Sequence, residues 1–435
     1  MNPVTKYPTK RLESWGKLKE VRHLRQRRLW ESSQKGGITF FGLSSELMLA
    51  LPYALGEDVH TPGFASQWTT LMQDHASASK YIDMAENIGV RDVCHSMKSH
   101  IGQMISGVAT KGVKGGEIKP SFIFQTAWCH VCSFTARIFS EHYGLPLFVL
   151  DLPHHRNRKH QEEFLAVQML EGLEWLEKIT GREIDDERLA EVVRNEWESG
   201  VILSEMTKLQ SVVPAPLTLM QLAGIKMSWL SCRYMTEFVE AYRIVLAEIK
   251  ERAANGISGR GFEGARLLGG FQGPFPYQRE IYPHIEKKYG AIFIGAGYLN
   301  TVGTPWRLEE EGWEPPPTIE ELGWPFKSRE DICRAFAAYH LRYTIAASNP
   351  MHYSSLMEKL VTGFKADAVT LMVDRGCKGF VNGILEVNTH LQSLGVPTLV
   401  FEGSQIDPRY TDLPRVLERM EIFVQALGYD PLQED

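Results

Sequence analysis

The chain has 435 residues, 43% of them hydrophobic and 23% charged, a composition that fits a globular protein of two to three domains at roughly 150 residues each. Its 47 Lys and Arg against 53 Asp and Glu give a net charge of −6, which argues against a dedicated nucleic-acid binder with a strongly basic domain. No apolar run reaches the roughly 18 residues of a membrane span, and no short apolar core precedes a small-residue cleavage site. No membrane association is therefore expected, and the cytoplasm is the expected compartment.

Residues 5–33 carry many Lys and Arg, including Arg25-Gln26-Arg27-Arg28. Leu12, Trp15, Leu18, Val21, Leu24 and Leu29 recur at near-helical spacing, which predicts an amphipathic helix. Its basic face is expected to be solvated, with docking on an acidic partner or on substrate phosphates as the functional reading. From about residue 36, short apolar runs alternate with helical stretches. The expected strands are Ile38–Leu43, Ser121–Gln125, Leu145–Leu150, Ala291–Ile294, Ala368–Val373 and Thr398–Phe401. Neighbouring strands are separated by enough chain for a helix, the pattern of βαβ units and parallel sheets.

Between residues 161 and 255 the stretches Glu163–Ile179, Asp186–Leu209 and Trp229–Ala254 follow helical periodicity with few strand signals. The Pro- and Gly-rich segment Gly269–Pro276 then opens a second alternating region. The expected fold is α/β, with two Rossmann-like parallel-sheet domains joined by a helical segment and preceded by an N-terminal helical extension. The expected boundaries are 1–35 for the extension, 36–160 for the first α/β domain, 161–260 for the helical segment and 261–435 for the second α/β domain.

Six cysteines in a chain of this size are too few for a disulfide framework and are read as core thiols or metal ligands. Cys232 and Cys333 lie in apolar helical surroundings and are expected to be buried. Cys94, Cys132 and Cys377 are each expected just past a strand that opens into a helix. The crevice outside the carboxyl ends of parallel strands is where such sheets bind ligands, and helix N-termini present N–H groups and positive dipole ends there. Three thiolates delivered to it suit an iron–sulfur cluster. Cys129-His130-Val131-Cys132 is a Cys-x-x-Cys, which alone fits a redox pair, half a zinc site or a cluster-ligand pair.

The run Asp151–His160 follows an expected strand and is rich in cations. It reads as a solvated loop or as a phosphate-binding segment, with His155, Arg156, Arg158 and Lys159 as candidate contacts to the phosphates of a nucleotide-tailed thioester. His95 and His352 are candidate proton donors, because imidazole titrates near neutral pH. Gly259-x-Gly261-x-x-Gly264 follows a helical run rather than a strand, so it is not read as a dinucleotide fingerprint. The Gly107–Lys114 segment lacks the Gly-Lys-Ser/Thr ending of a P-loop, so no ATP site is expected in this chain.

Four segments together resemble the 2-hydroxyacyl-CoA dehydratase / benzoyl-CoA reductase family, and within it the benzoyl-CoA reductase branch. They are Val93–Lys98, Thr126–Cys132 running on to Val149–Pro153, Asp367–Lys378 and Gly395–Gly403. The resemblance covers most of the chain. It implies one cluster-ligating cysteine in each of the first three segments, namely Cys94, Cys132 and Cys377, with Cys129 as the alternative to Cys132. It implies a 4Fe–4S cluster, or half of a double-cubane cluster, acting on a coenzyme A thioester. It also implies a homologous second iron–sulfur subunit, ATP-hydrolysing activator subunits that deliver electrons, and ferredoxin as the upstream donor. Ser404 stands where the broad family often carries an acidic residue. The reactions open to such a chain are reduction of an aromatic thioester and removal of water from a 2-hydroxyacyl thioester. The non-enzymatic alternative is a structural subunit holding zinc.

Overall fold

The computed structural model describes residues 3–42, 50–62, 75–111, 116–127, 129–153, 159–270, 273–301, 303–309, 312–344 and 353–433. Thr5–Lys6 form the short strand β1. A parallel sheet then gathers β2 (Ile38–Phe41), β3 (Val59–His60), β4 (Phe122–Ala127) and β5 (Leu147–Asp151), in the spatial order β3-β2-β4-β5. β6 (Phe262–Glu263) returns to pair antiparallel with β1. A second parallel sheet takes β7 (Arg266–Gly269) and β8 (Ile292–Ala296). After the antiparallel hairpin of β9 (Arg307–Glu309) and β10 (Gly312–Glu314), β11 (Ala368–Asp374) and β12 (Thr398–Gly403) complete it in the order β12-β11-β7-β8.

Parallel neighbours need a crossover long enough for a helix, and helices then cover the sheet faces. This explains why the interior strands are almost wholly apolar and buried, as in Phe122–Phe124 of β4 and Ala368–Met372 of β11. Each of the six strands expected from the sequence is present, with ends shifted by a residue or two. Within the two four-stranded sheets, two strands were not foreseen. β3 has only two residues, and β7 begins with an arginine. Arg266 is buried there because Glu263 pairs with it and the carbonyls of Gln210, Phe364 and Lys365 accept its N–H groups at 2.6, 3.0 and 3.1 Å.

The stretch between the sheets is helical, with Lys159–Thr180, Asp186–Lys208, Leu219–Cys232 and Thr236–Ala254. The expected continuous helix Trp229–Ala254 is thus broken at residues 233–235. The Tyr234 ring turns inward there, stacking on Tyr53, and Arg233 pairs with the buried Glu196 at 3.1 Å. The helix Leu219–Cys232 starts with a capping box, in which Thr218 and Gln221 each bond the other's backbone N–H.

The N-terminal helix spans Trp15–Lys35 and buries Leu18, Val21 and Leu29. The expectation of a solvated basic face needs correction at two of its arginines. Arg25 is buried, its Nη2 donating to the Thr61 carbonyl at 2.6 Å, and Arg28 pairs with Glu237. Their positions on the packed side follow from the helical repeat, which sets Arg25 one turn from both Val21 and Leu29. Among the described residues no helix is long and apolar enough to cross a membrane.

Candidate functional site

Three cysteines occupy the same structural position. Cys94 is the N-cap of the helix His95–Ile105, Cys129 that of His130–Tyr143, and Cys377 that of the single turn Lys378–Val381. All three have extended backbone, with φ/ψ of −64/152°, −149/163° and −117/94°. An N-cap residue precedes the unpaired N–H groups of its helix, so each sulfur sits where the helix end favours negative charge. Cys377 follows the carboxyl end of β11, as expected, whereas after β4 that position falls to Cys129 and the expected Cys132 lies inside the first turn of the helix. Cys94 does not follow a strand. Residues 88–94 form a turn and irregular chain after the helix His75–Asn87, because Gly89 at φ 91° ends that helix and leaves too few residues for a strand.

Cys132 lies one turn beyond Cys129. Its N–H donates to the Cys129 carbonyl at 3.0 Å and the two Sγ atoms are 3.5 Å apart. Cys94, Cys129 and Cys377 are partly exposed, whereas Cys132 is buried, and none of the six cysteines is in a disulfide. The thiols feel one another electrostatically. Burial and then the charge of Cys377 push the Cys94 thiol well up, with Cys129 adding to it. The hydrogen bond from Cys132, helped by the N–H groups of Cys132 and Val131, lowers Cys129 to about 6, and the Cys132 thiol rises in consequence. Cys232 and Cys333 are buried, as expected, and desolvation pushes them up to about 11 and about 12. Inert core thiols behave in this way.

His95, beside Cys94, ties this helix to the second sheet. Its Nδ1 lies 2.9 Å from Ser404 Oγ. That oxygen already accepts the N–H groups of Ile406 and Asp407 at 3.3 and 3.1 Å, so the hydroxyl proton is left to donate to Nδ1 and the ring carries its own proton on Nε2. Burial lowers the His95 pKa, so the neutral ring prevails at neutral pH. The opposite face of the junction is Gly376, where a Cβ would lie 2.6 Å from His95 Nδ1. Asp374, at the end of β11, holds the same turn. Its carboxylate accepts Gly376 N–H at 2.9 Å and Gln405 N–H at 3.0 Å, while burial pushes its pKa up to about 6. Next to these, the wholly buried Asp407 pairs with Arg409, which also reaches Asp83 on the helix His75–Asn87 at 2.8 Å.

Sequence reasoning singled out the cysteines and His95, noted Ser404 only as standing where an acidic residue is common, and missed Asp374, Gly376 and Asp407. The one available signal was their clustering after the ends of β11 and β12. His155, Arg156, Arg158 and His352 lie outside the described residues, and Lys159 opens the helix Lys159–Thr180 with its side chain likewise outside them. Among the described residues no three His, Cys, Asp or Glu side chains converge closely enough to hold a single metal ion.

The chain is an α/β protein with parallel sheets, in which Cys129 and Cys377 cap helices just past the carboxyl ends of two strands. More particularly, the chain belongs to the family described as 2-hydroxyglutaryl-CoA dehydratase, D-component, which matches residues 46–427. It is 23% identical over 352 residues to the B subunit of benzoyl-CoA reductase from Thauera aromatica, covering 77% of each chain. It is 22% identical over 273 residues to the (R)-phenyllactyl-CoA dehydratase alpha subunit of Clostridium sporogenes, covering 61% of this chain and 60% of the relative. Over 290 residues it is 20% identical to the alpha subunit of (R)-2-hydroxyglutaryl-CoA dehydratase from Acidaminococcus fermentans, covering 66% of this chain and 55% of that one. The alignments thus span less than two thirds of both dehydratase subunits.

Proposed function

We propose that this chain is an iron–sulfur subunit of an enzyme acting on a coenzyme A thioester, and that its reaction is the ATP-dependent reduction of an aromatic acyl group such as benzoyl. The observation that supports it best is the set of N-cap thiols from separate segments, Cys94, Cys377 and one sulfur of the Cys129–Cys132 pair. The donor set fits a cluster on its chemistry. The Cys94 thiol, pushed up by burial and by the charges of Cys377 and Cys129, would ionise more readily beside a positively charged iron centre. A cluster offers each thiolate a different iron, so thiols from separate segments need not converge on one ion. The N-cap position shared with Cys94 and Cys377 favours Cys129 over Cys132 as the third ligand.

Such a cluster supplies single electrons at low potential, tuned by hydrogen bonds to sulfur and by solvent exposure. The protein's own contribution is to hold the thiols on three helix ends, to pack His95 and Tyr410 against each other at 4.7 Å between ring centroids, and to keep the His95 proton on Nε2. A homologous second subunit, ATP-hydrolysing activator subunits and ferredoxin complete the proposed system. Longer coverage of the reductase relative supports reduction. Dehydration of a 2-hydroxyacyl thioester is the second reading, supported by similarity to the two dehydratase subunits.

Anaerobic purification with its partner tests the first half. A brown protein with iron and acid-labile sulfide, both lost on Cys94→Ala or Cys377→Ala, is expected, and a colourless or zinc-only protein overturns the cluster. ATP stoichiometry tests the second half. Reduction consumes ATP in proportion to product, whereas a dehydration that recycles its electron needs only catalytic ATP.

A further inference from the structure

A three-thiol ligand set uses one sulfur of the Cys129–Cys132 pair and leaves the other beside it. The two sulfurs already lie in contact at 3.5 Å. Cys129, at the helix N-cap, is partly exposed, while Cys132 is 5% exposed and held one turn away by its N–H bond to the Cys129 carbonyl. A disulfide needs an S–S separation of about 2.05 Å with the Cα atoms about 4.4–6.8 Å apart. Side-chain rotation closing the sulfurs by about 1.5 Å is therefore the main movement required. An accessible first thiol backed by a shielded second one is also the arrangement that thiol–disulfide exchange uses, since the mixed disulfide forms outside and is resolved from within.

We propose that Cys129 and Cys132 form a thiol–disulfide site that closes by exchange with a low-molecular-weight disulfide. The Cys129 thiolate attacks one sulfur of the small disulfide, forming a mixed disulfide and releasing one small thiolate. The Cys132 thiolate, its proton passed to solvent, then attacks the Cys129 sulfur, forming the Cys129–Cys132 bond and releasing the second small thiolate. The protein loses two electrons, the small disulfide gains them, and the two thiol protons end on the two small thiolates. In the closed form neither sulfur can bind iron, so oxidation would shut the crevice to a cluster. The exchange is independent of the proposed function, whereas this consequence rests on it. Cys232 and Cys333 are buried and offer no such access.

The test uses the full chain purified without metal, reduced, freed of reductant and exposed to oxidised glutathione. Thiols are then counted with a maleimide under denaturing conditions, and the cysteine peptides are weighed. Two of the six thiols should disappear, with Cys129 and Cys132 joined in one peptide lighter by two hydrogens. Cys132→Ser should stop at a glutathione adduct on Cys129, and Cys129→Ser should leave Cys132 unmodified. Retention of all six thiols, or a bond from either residue to Cys94 or Cys377, overturns the proposal. Reconstitution with iron and sulfide follows on the closed and reduced forms. Uptake by the reduced form alone, restored in the closed form by dithiothreitol, is expected. Equal uptake by both overturns the exclusion. Uptake by neither, with the disulfide formed, overturns the cluster reading and upholds the exchange.

Discussion

At the scale of single residues, the site depends on side chains with no spare room or no spare partner. Gly376 abuts His95 so closely that an added methyl must displace either the ring or the turn leading to Cys377. Gly376→Ala is expected to cost about 1–3 kcal/mol, read as a lowered urea midpoint, because overpacking forces backbone or rotamer shifts. An unchanged midpoint would show that the junction is looser than the 2.6 Å approach implies. Buried histidines set the acid limit of stability. Burial lowers His100 to about 4, and His60 is likewise held near about 4. With an unfolded value near 6.5, each stays neutral in the fold while the unfolded chain takes up a proton. Stability is therefore full above about pH 6.5 and falls as pH drops toward 4, at up to roughly 1.4 kcal/mol per pH unit for each group. Unfolding free energies at pH 7 and pH 5 should differ by about 2 kcal/mol from His100 alone, and His100→Gln should remove that share of the difference. An equal pH dependence in the variant would rule His100 out as a contributor.

Among the elements, the N-terminal helix shows how a basic run can hide a structural arginine. Arg25 is 5% exposed and bonded to the Thr61 carbonyl, whereas Arg27 is exposed. Arg25→Ala should lower stability by about 3 kcal/mol, from a cavity and a stranded carbonyl, while Arg27→Ala stays within about 0.5 kcal/mol. Thermal melts of the two variants check this, and comparable small losses would return Arg25 to the solvated face. What the sequence made legible among the elements follows from length and composition. Strands such as Ala368–Asp374 announce themselves through several successive apolar, often β-branched residues. β7 does not, since a four-residue strand headed by Arg266 gains its place from tertiary partners on three other segments. Helical periodicity likewise runs unbroken through Cys232 and Arg233, and only the burial of Tyr234 against Tyr53 reveals the break.

For the whole molecule, the segment after β12 ties the two sheets together. Ser404 holds His95 and Arg409 reaches Asp83, both of which lie on or beside helices of the first sheet. These pairings join residues more than 300 positions apart, a separation that periodicity and motif spacing do not register. The cysteine segments were therefore legible one by one, while the contacts that hold the Cys94 helix to the segment after β12 were not. Arg409 is the sharpest test of the bridge. Its half-exposed guanidinium pairs with Asp407, whose side chain is fully buried, and also bonds Asp83, so removing it leaves Asp407 with the Arg409 backbone N–H as a partner and breaks the bond across the bridge. Arg409→Ala is expected to cost about 1–2 kcal/mol, against less than about 1 kcal/mol for Arg334→Ala, whose pair with Glu163 is over half exposed at both ends. Because the loss falls on the bridge, alkylation of Cys94 and Cys377 in native conditions should quicken in the Arg409 variant and stay unchanged in the Arg334 variant. Equal stability and equal alkylation in the two variants would mean that the crevice is held by helix packing alone. A loss of stability without faster alkylation would place the Asp407 pair in the core but outside the construction of the crevice.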